Sequence, residues 1–181
     1  QREEPVFCYI KGPDLPFRGC GSVKIAVLIK QVPDSDDVRM DEATGTMVRE
    51  GVGTMINPLD LHALQEALKI RSSWGGKVTA ISMGPPQAES ALREALALGA
   101  DGAVFLSDPL FAASDTWSTA RTLAAAIEKT GPYDLILAGE KATDGETGQV
   151  GPEVAVMLDV PFSTYVSGIE FESGNSLVVS R

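Results

Sequence analysis

Apolar residues in this chain fall into short unbroken runs, separated by stretches in which they recur at helical spacing. Val23 to Ile29 is apolar apart from Lys24, as expected for a strand buried on both faces of a parallel sheet. Gln31 to Gly53 is polar and dotted with glycine, long for a connection inside a compact domain, and such loops are usually functional or flexible. Pro58 opens a helix whose face is Leu61, Leu64, Ala67 and Leu68, and Gly75-Gly76 stops it. A second strand is predicted over Val78 to Met83, then Gly84-Pro85-Pro86 and a helix carrying Leu92, Ala95 and Leu96, closed at Gly99. Ala103 to Leu106 is the third strand, and Ser114 is the predicted N-cap of a helix with Ala120, Leu123, Ala124 and Ile127 on one face. Gly131-Pro132 ends that helix and Leu135 to Ala138 is the fourth strand. A short helix ends at Val154 to Leu158 and Phe162 to Val166 reads as strand. Ile169 to Phe171 is expected to pair with Leu177 to Val179 around Ser173-Gly174-Asn175.

Strands alternating with helices predict an α/β fold with a doubly wound, mostly parallel sheet, Rossmann-like and of the adenine-nucleotide-binding type, with a small C-terminal hairpin. At 181 residues the chain holds one such domain, assigned here to residues 23–166. Residues 1–22, polar and with scattered prolines, read as an N-terminal extension of unknown role, and residues 167–181 as the start of a hairpin or arm. There is no internal repeat or low-complexity tract. Ligands of such sheets sit beyond the carboxyl ends of the strands, at a switch in strand order. Four segments follow strands at that edge: Lys30 to Asp34, Gly84 to Gln87, Ser107 to Pro109 and Gly139 to Val150. The stretch before Asn57-Pro58 is placed to fold back over it.

The most informative of these runs from Leu135 to Glu153, a strand that breaks at Gly139 into small and polar residues and restarts as a helix. A helix start offers unpaired N–H groups and about half a positive charge, and small residues let backbone approach a phosphate. Many Gly-rich loops are nonetheless plain turns. Asp144 and Glu146 would repel a phosphate, so either they turn away, with Asp144 capping backbone or touching a ribose hydroxyl, or a cation offsets them. Thr147 and Gln149 are the more natural phosphate and sugar partners, beside the N–H groups of residues 145–150. The plainer readings are that Thr147 caps the following helix and Asn57 the one that Pro58 opens.

Composition removes several classes. A formal charge of -10 without a basic stripe disfavours nucleic acid. That charge could steer the chain towards a basic partner, although ordinary solubility explains it as well. No apolar run approaches the ~20 residues that span a bilayer. Cys8 and Cys20 are too few for a four-ligand zinc site, and their spacing leaves a disulfide open. The N-terminus lacks a charged-then-apolar signal pattern, and the expected location is the cytoplasm. His62, the only histidine, lies beside Leu61 and Leu64 and reads as structural or surface. Without a triad, metal cluster or Walker-type loop, no catalytic residue is assigned. A redox cofactor would carry its own chemistry, leaving the protein to supply position and electrostatics.

Six short motifs occur in order: Lys30-Gln31-Val32-Pro33-Asp34, Thr44-Gly45-Thr46 with Arg49-Glu50-Gly51-Val52, Ile56-Asn57-Pro58, Met83-Gly84-Pro85-Pro86-Gln87-Ala88, Ala97-Leu98-Gly99-Ala100-Asp101, and Asp144 to Pro152. Together they resemble the small (beta) subunit of electron-transfer flavoproteins, from about Lys24 to about Val166. The resemblance implies cofactor contacts from Leu28, Lys30, Asn57, Pro58, Asp60, Met83, Gly84, Gly139, Lys141, Ala142, Thr143, Asp144, Gly145, Thr147, Gly148, Gln149 and Val150. It implies a large (alpha) subunit that carries the electron-transferring FAD, and an acyl-CoA or other flavin-dependent dehydrogenase as redox partner. In simple carriers of the family the small subunit holds AMP. In the electron-bifurcating branch the same pocket holds a second FAD that accepts hydride from NADH. The Lys30 to Asp34 string, the Thr44-Gly45-Thr46 turn and the Asp144 to Pro152 loop look more like the bifurcating branch, so FAD is expected, with AMP as the alternative. Family members continue past Arg181, through the part that docks on dehydrogenases, so the chain is expected to be truncated or unusual, and dehydrogenase binding is in doubt for it. A universal-stress-type protein or ATP-pyrophosphatase shares the alternating pattern, but would need a glycine-bearing signature that Lys30 to Asp34 lacks. A structural subunit that has lost its ligand is a third reading.

Overall fold

The apolar runs assemble as one six-stranded sheet in the computed structural model, which describes residues 6–10, 22–34, 39–40, 47–48, 53–172 and 176–181. In chain order the elements are β1 (Val6–Ile10), β2 (Val23–Leu28), β3 (Gln31–Pro33), β4 (Arg39–Met40), β5 (Met47–Val48), β6 (Thr54–Ile56), α1 (Pro58–Trp74) and β7 (Gly76–Met83). There follow α2 (Glu89–Leu98), β8 (Gly102–Leu106), α3 (Thr116–Thr130), β9 (Leu135–Gly139), α4 (Val150–Met157), β10 (Phe162–Val166), β11 (Gly168–Glu172) and β12 (Ser176–Ser180). The strand order is β10-β1-β9-β2-β7-β8. β9, β2, β7 and β8 run parallel, and β1 is antiparallel to β9 and to β10.

From β2 the chain winds outward through β7 to β8, then returns to lay β9 on the other side of β2. The switch in order therefore falls between β2 and β9. Successive side chains of a strand point to opposite faces, and β2 divides accordingly. Val23, Ile25 and Val27 join the core that includes Ala63, Leu64, Ala91 and Leu92 of α1 and α2. Ala26 and Leu28 join the core with Ala120, Leu123, Val154 and Ala155 of α3 and α4. Helices on both faces explain why β2 and β9 are almost wholly apolar, Lys24 of β2 excepted. α1 buries Leu59, Ala63, Leu64, Ala67 and Ile70, with Leu61 and Leu68 only partly covered, so its true stripe is rotated from the one the sequence suggests. Its alanines let the helix approach the sheet closely.

The doubly wound, mostly parallel sheet and the C-terminal hairpin are as the sequence predicts, with Ile169 opposite Val179 and Phe171 opposite Leu177. Three details differ. Asp115 rather than Ser114 caps α3, its carboxylate accepting the N–H of Ser118 at 2.8 Å, while the Ser114 hydroxyl donates to the Phe111 carbonyl. The long connection after β2 is organised at its base, where β3 pairs with β6 and Asp34 N–H bonds the Gly53 carbonyl. Val6–Ile10 enters the central sheet, within the segment for which the sequence suggested no role. The motifs at Thr44 to Thr46 and Arg49 to Val52, the Ser173-Gly174-Asn175 turn and Cys20 lie outside the described residues.

Candidate nucleotide site

Three backbone segments meet at the switch between β2 and β9: the end of β2 through Lys30, the start of α1, and the loop from Gly139 to Val150. What joins them is a pair of buried polar side chains from α1. Asp60, in the helix's first turn and only 6% exposed, accepts the N–H of Lys30 at 2.8 Å and the N–H of Gly139 at 3.1 Å. Asn57 is fully buried, donates to the Lys141 carbonyl at 2.9 Å and accepts the N–H of Thr143 at 3.2 Å. Each side chain thus closes a main-chain gap between elements that are far apart in sequence. Asn57 makes no side-chain cap for α1, which excludes the plainer reading of this residue.

Burial is the dominant influence on the Asp60 carboxyl and raises its pKa to about 7. Hydrogen bonds from Lys30 N–H, Asn57 and Gly139 N–H and the Lys30 charge pull in the other direction without overcoming it. A carboxyl held by two main-chain donors is a rigid peg. Its position at the ends of β2 and β9 also means that these two N–H groups are already used, so a phosphate must find its donors further along the loop.

The acidic residues of the loop are matched by lysines. Lys30 Nζ lies 2.6 Å from Asp144 Oδ1, and Lys141 Nζ 3.0 Å from Glu146 Oε1. The second pair depends on a left-handed turn at Glu146, φ 52°, closed by its N–H on the Ala142 carbonyl at 2.8 Å. Glu146 holds the Lys141 ammonium above its ordinary pKa, first by the hydrogen bond and then by its charge. Of the sequence alternatives for Asp144 and Glu146, neutralisation by a cation is the one realised, and the cations are the chain's own.

Beyond the turn, Gly148 at φ 61° leads the chain into α4, which no side chain caps. Thr147 is exposed and stands outside the helix, so it does not serve as the cap. Gly145 faces open space, with nothing within 4 Å of where a Cβ would stand. Gln149 Oε1 and Glu153 Oε1 share the Thr116 hydroxyl at 3.3 and 3.1 Å. Glu153 Oε2 is buried without a hydrogen-bond partner, an acceptor in the first turn of α4 awaiting a donor. Loose N–H groups at the helix start, two lysines and a spare acceptor suit an anionic ligand that also carries hydroxyls.

Most of the predicted residues converge here: Lys30, Asn57, Asp60 and the stretch from Gly139 to Val150. Leu28 has its side chain in the α3/α4 core, so only its main chain reaches the edge. Pro58 is the first residue of α1. Met83 and Gly84 lie at the same edge but beyond β2, where Gly84 N–H bonds the Leu106 carbonyl. Gln31, to which the sequence assigned no individual role, ties this side together by donating to the Gln87 carbonyl at 3.0 Å and to Ser90 Oγ at 2.7 Å. The Thr116–Glu153 pair was also missed. Both lie between elements, and only Gln31's place in a motif marked it.

A family model for the electron transfer flavoprotein domain matches residues 44–181. An electron transfer flavoprotein subunit beta from Thermoanaerobacterium thermosaccharolyticum is 56% identical over 159 residues, covering 88% of this chain and 60% of the relative. The CarD subunit of the caffeyl-CoA reductase-Etf complex of Acetobacterium woodii is 49% identical over 157 residues, 86% of this chain and 60% of its own. Protein FixA of Azotobacter vinelandii is 50% identical over 146 residues, 79% and 52% respectively. The chain thus spans little more than half the length of these relatives. With the strand–loop–helix at the switch point and these likenesses in agreement, the chain belongs to the electron transfer flavoprotein family, as one of its beta subunits.

Proposed function

We propose that this chain is the small subunit of a heterodimeric electron-transfer flavoprotein and holds an adenine nucleotide between β2 and β9, against residues 139–150. The observation that carries this reading is the fastening of that loop to α1 by Asn57 and Asp60, with Lys30 and Lys141 on the same edge. The donor set fits the ligand. Gly145 and residues 147–150 present main-chain N–H groups to phosphate, the Glu146 N–H being used in its turn, and Lys30 and Lys141 can exchange their carboxylate partners for phosphate oxygens. Glu153 Oε2 can accept from a sugar hydroxyl. The fixed loop positions the ligand, and the apolar faces of β2 and β9 exclude water beneath it.

FAD is favoured over AMP by the motif strings at Lys30 to Asp34, Thr44 to Thr46 and Asp144 to Pro152, and by the similarity to the CarD subunit of a reductase–Etf complex. When bound, FAD supplies hydride and electron chemistry that no side chain here could perform. In this reading NADH is the hydride donor, and electrons pass through the large subunit's FAD to or from a flavin-dependent dehydrogenase, in the cytoplasm. Among the described residues no helix is long and apolar enough to cross a membrane.

The test is to purify the chain with its large subunit, denature the complex and identify the released nucleotides. Two flavins per heterodimer support the reading. One flavin with AMP moves the complex to the simple carriers, and a single flavin without AMP removes the nucleotide from this subunit.

A further inference from the structure

Tyr165 adopts φ 56° within β10. A bulky L-residue enters the left-handed region only under constraint. The other non-glycine residues with positive φ among those described, Ala113, Glu146 and Asp159, lie outside the strands and α-helices, whereas Tyr165 sits inside a strand. The register explains how. Val6 of β1 faces Val166 and Cys8 faces Ser163, so β10 carries one more residue than β1 across this stretch. An extra residue of this kind is a β-bulge, a device that re-aims a side chain and is common beside functional sites. Tyr165 is 56% exposed, so core packing does not account for the strained conformation.

The bulge lies at the carboxyl edge. Val6 pairs with Gly139 on one side and Val166 on the other, which brings the ends of β9 and β10 level. Two strand spacings separate them, about 10 Å. The Tyr165 phenol also lies within electrostatic range of the Lys141 ammonium. Tyr165 therefore stands on the rim of the candidate site, on the far side of β1 from the crevice between β2 and β9. An adenosine seated in that crevice would not reach it, but a ligand extended along the edge would.

We propose that Tyr165 is a specificity-determining contact: its ring packs on the planar heterocycle that lies beyond the adenosine, and so selects a dinucleotide of the FAD type over a mononucleotide. The proposal rests on the nucleotide reading above. An exposed aromatic ring offers a flat apolar face, and offset stacking on another ring is favourable beyond simple area burial.

The experiment uses the chain in complex with its large subunit, that subunit's flavin retained and the small subunit's nucleotide removed. AMP and FAD are titrated separately by calorimetry into the wild type, Tyr165→Phe and Tyr165→Gly, and each complex is also melted. Glycine takes positive φ freely, so Tyr165→Gly should melt no lower than the wild type. The same variant should bind FAD about tenfold more weakly and AMP unchanged, while Tyr165→Phe stays close to the wild type. Equal weakening of FAD and AMP, or of neither, overturns the proposal. Loss of the large subunit from Tyr165→Gly on gel filtration also overturns it, marking a subunit contact instead. A wild type that binds neither nucleotide removes the nucleotide reading itself, and the proposal with it.

Discussion

Asp60 Oδ1 accepts the main-chain N–H of Gly139 at 3.1 Å across 79 residues of sequence, so the first turn of α1 fixes the last residue of β9. The contact leaves no room for a side chain at 139. A Cβ there would run into Asp60 Oδ1 and the main chain at Leu59 and Asp60, neither of which can give way.

Gly139→Ala should therefore destabilise the fold by about 1–3 kcal/mol, the usual range for overpacking. It should also loosen nucleotide retention, because relief of the clash would push the loop away from α1. Urea denaturation and released-nucleotide stoichiometry measure the two effects. A variant as stable as the wild type would mean that the Asp60–Gly139 contact is easily rearranged.

Stability should fall with rising pH through the titration of Asp60. Its pKa is about 7 in the folded chain against 3.8 as a model value, so the folded state holds a proton that the unfolded state has released across that interval. By linkage this contribution is fully present below about pH 4 and is lost as pH rises through 7, up to about 4 kcal/mol. Asp60→Asn cannot titrate and replaces one acceptor with an NH2 group facing a main-chain N–H. It should be less stable than wild type at pH 5, with the gap shrinking by pH 8. A gap independent of pH would contradict the assignment of the buried ionisation to Asp60.

At the loop itself, Thr147→Val and Gly145→Leu should weaken nucleotide binding without disturbing the fold. Thr147 is exposed and Gly145 faces open space, so neither substitution meets protein atoms in its way. Loss of a hydroxyl from a bound-phosphate network costs about 1–3 kcal/mol. AMP and FAD titrations alongside thermal melts separate affinity from stability. Unchanged affinity in both variants would move the site elsewhere.

Residues 1–181 alone should be a poor electron carrier. No side chain in the site can itself accept electrons or hydride, and the proposed cofactor chemistry belongs to a complex. The isolated chain is expected to bind AMP or FAD weakly, and added large subunit to tighten binding by completing the site. Rapid NADH-dependent reduction of flavin bound to the isolated chain would overturn the subunit reading in favour of a self-sufficient flavoenzyme.

Much of this architecture was legible without coordinates because it depends on local patterns. Short apolar runs such as Val23 to Ile29, Lys24 excepted, and Leu135 to Ala138 read as strands covered on both faces, and helical spacing between them implies the layers that cover them. The order of strands and helices then places the loops after β2, β7, β8 and β9 at one edge, which is why Lys30, Asn57 and the Gly139 to Val150 stretch could be grouped from the sequence. Their roles were decided by tertiary contact. Nothing in the sequence around Asp60 says that its carboxylate will meet Gly139, or that Asp144 and Glu146 will find Lys30 and Lys141 rather than face a ligand unpaired. Such pairings depend on the separation of β2 and β9 and on the turn at Glu146, and hydrogen bonds of 3 Å are set by that geometry alone. The bulge at Tyr165 is beyond sequence reasoning for the same reason. It exists only because β10 carries one more residue than the strand it pairs with, and register is a property of two segments.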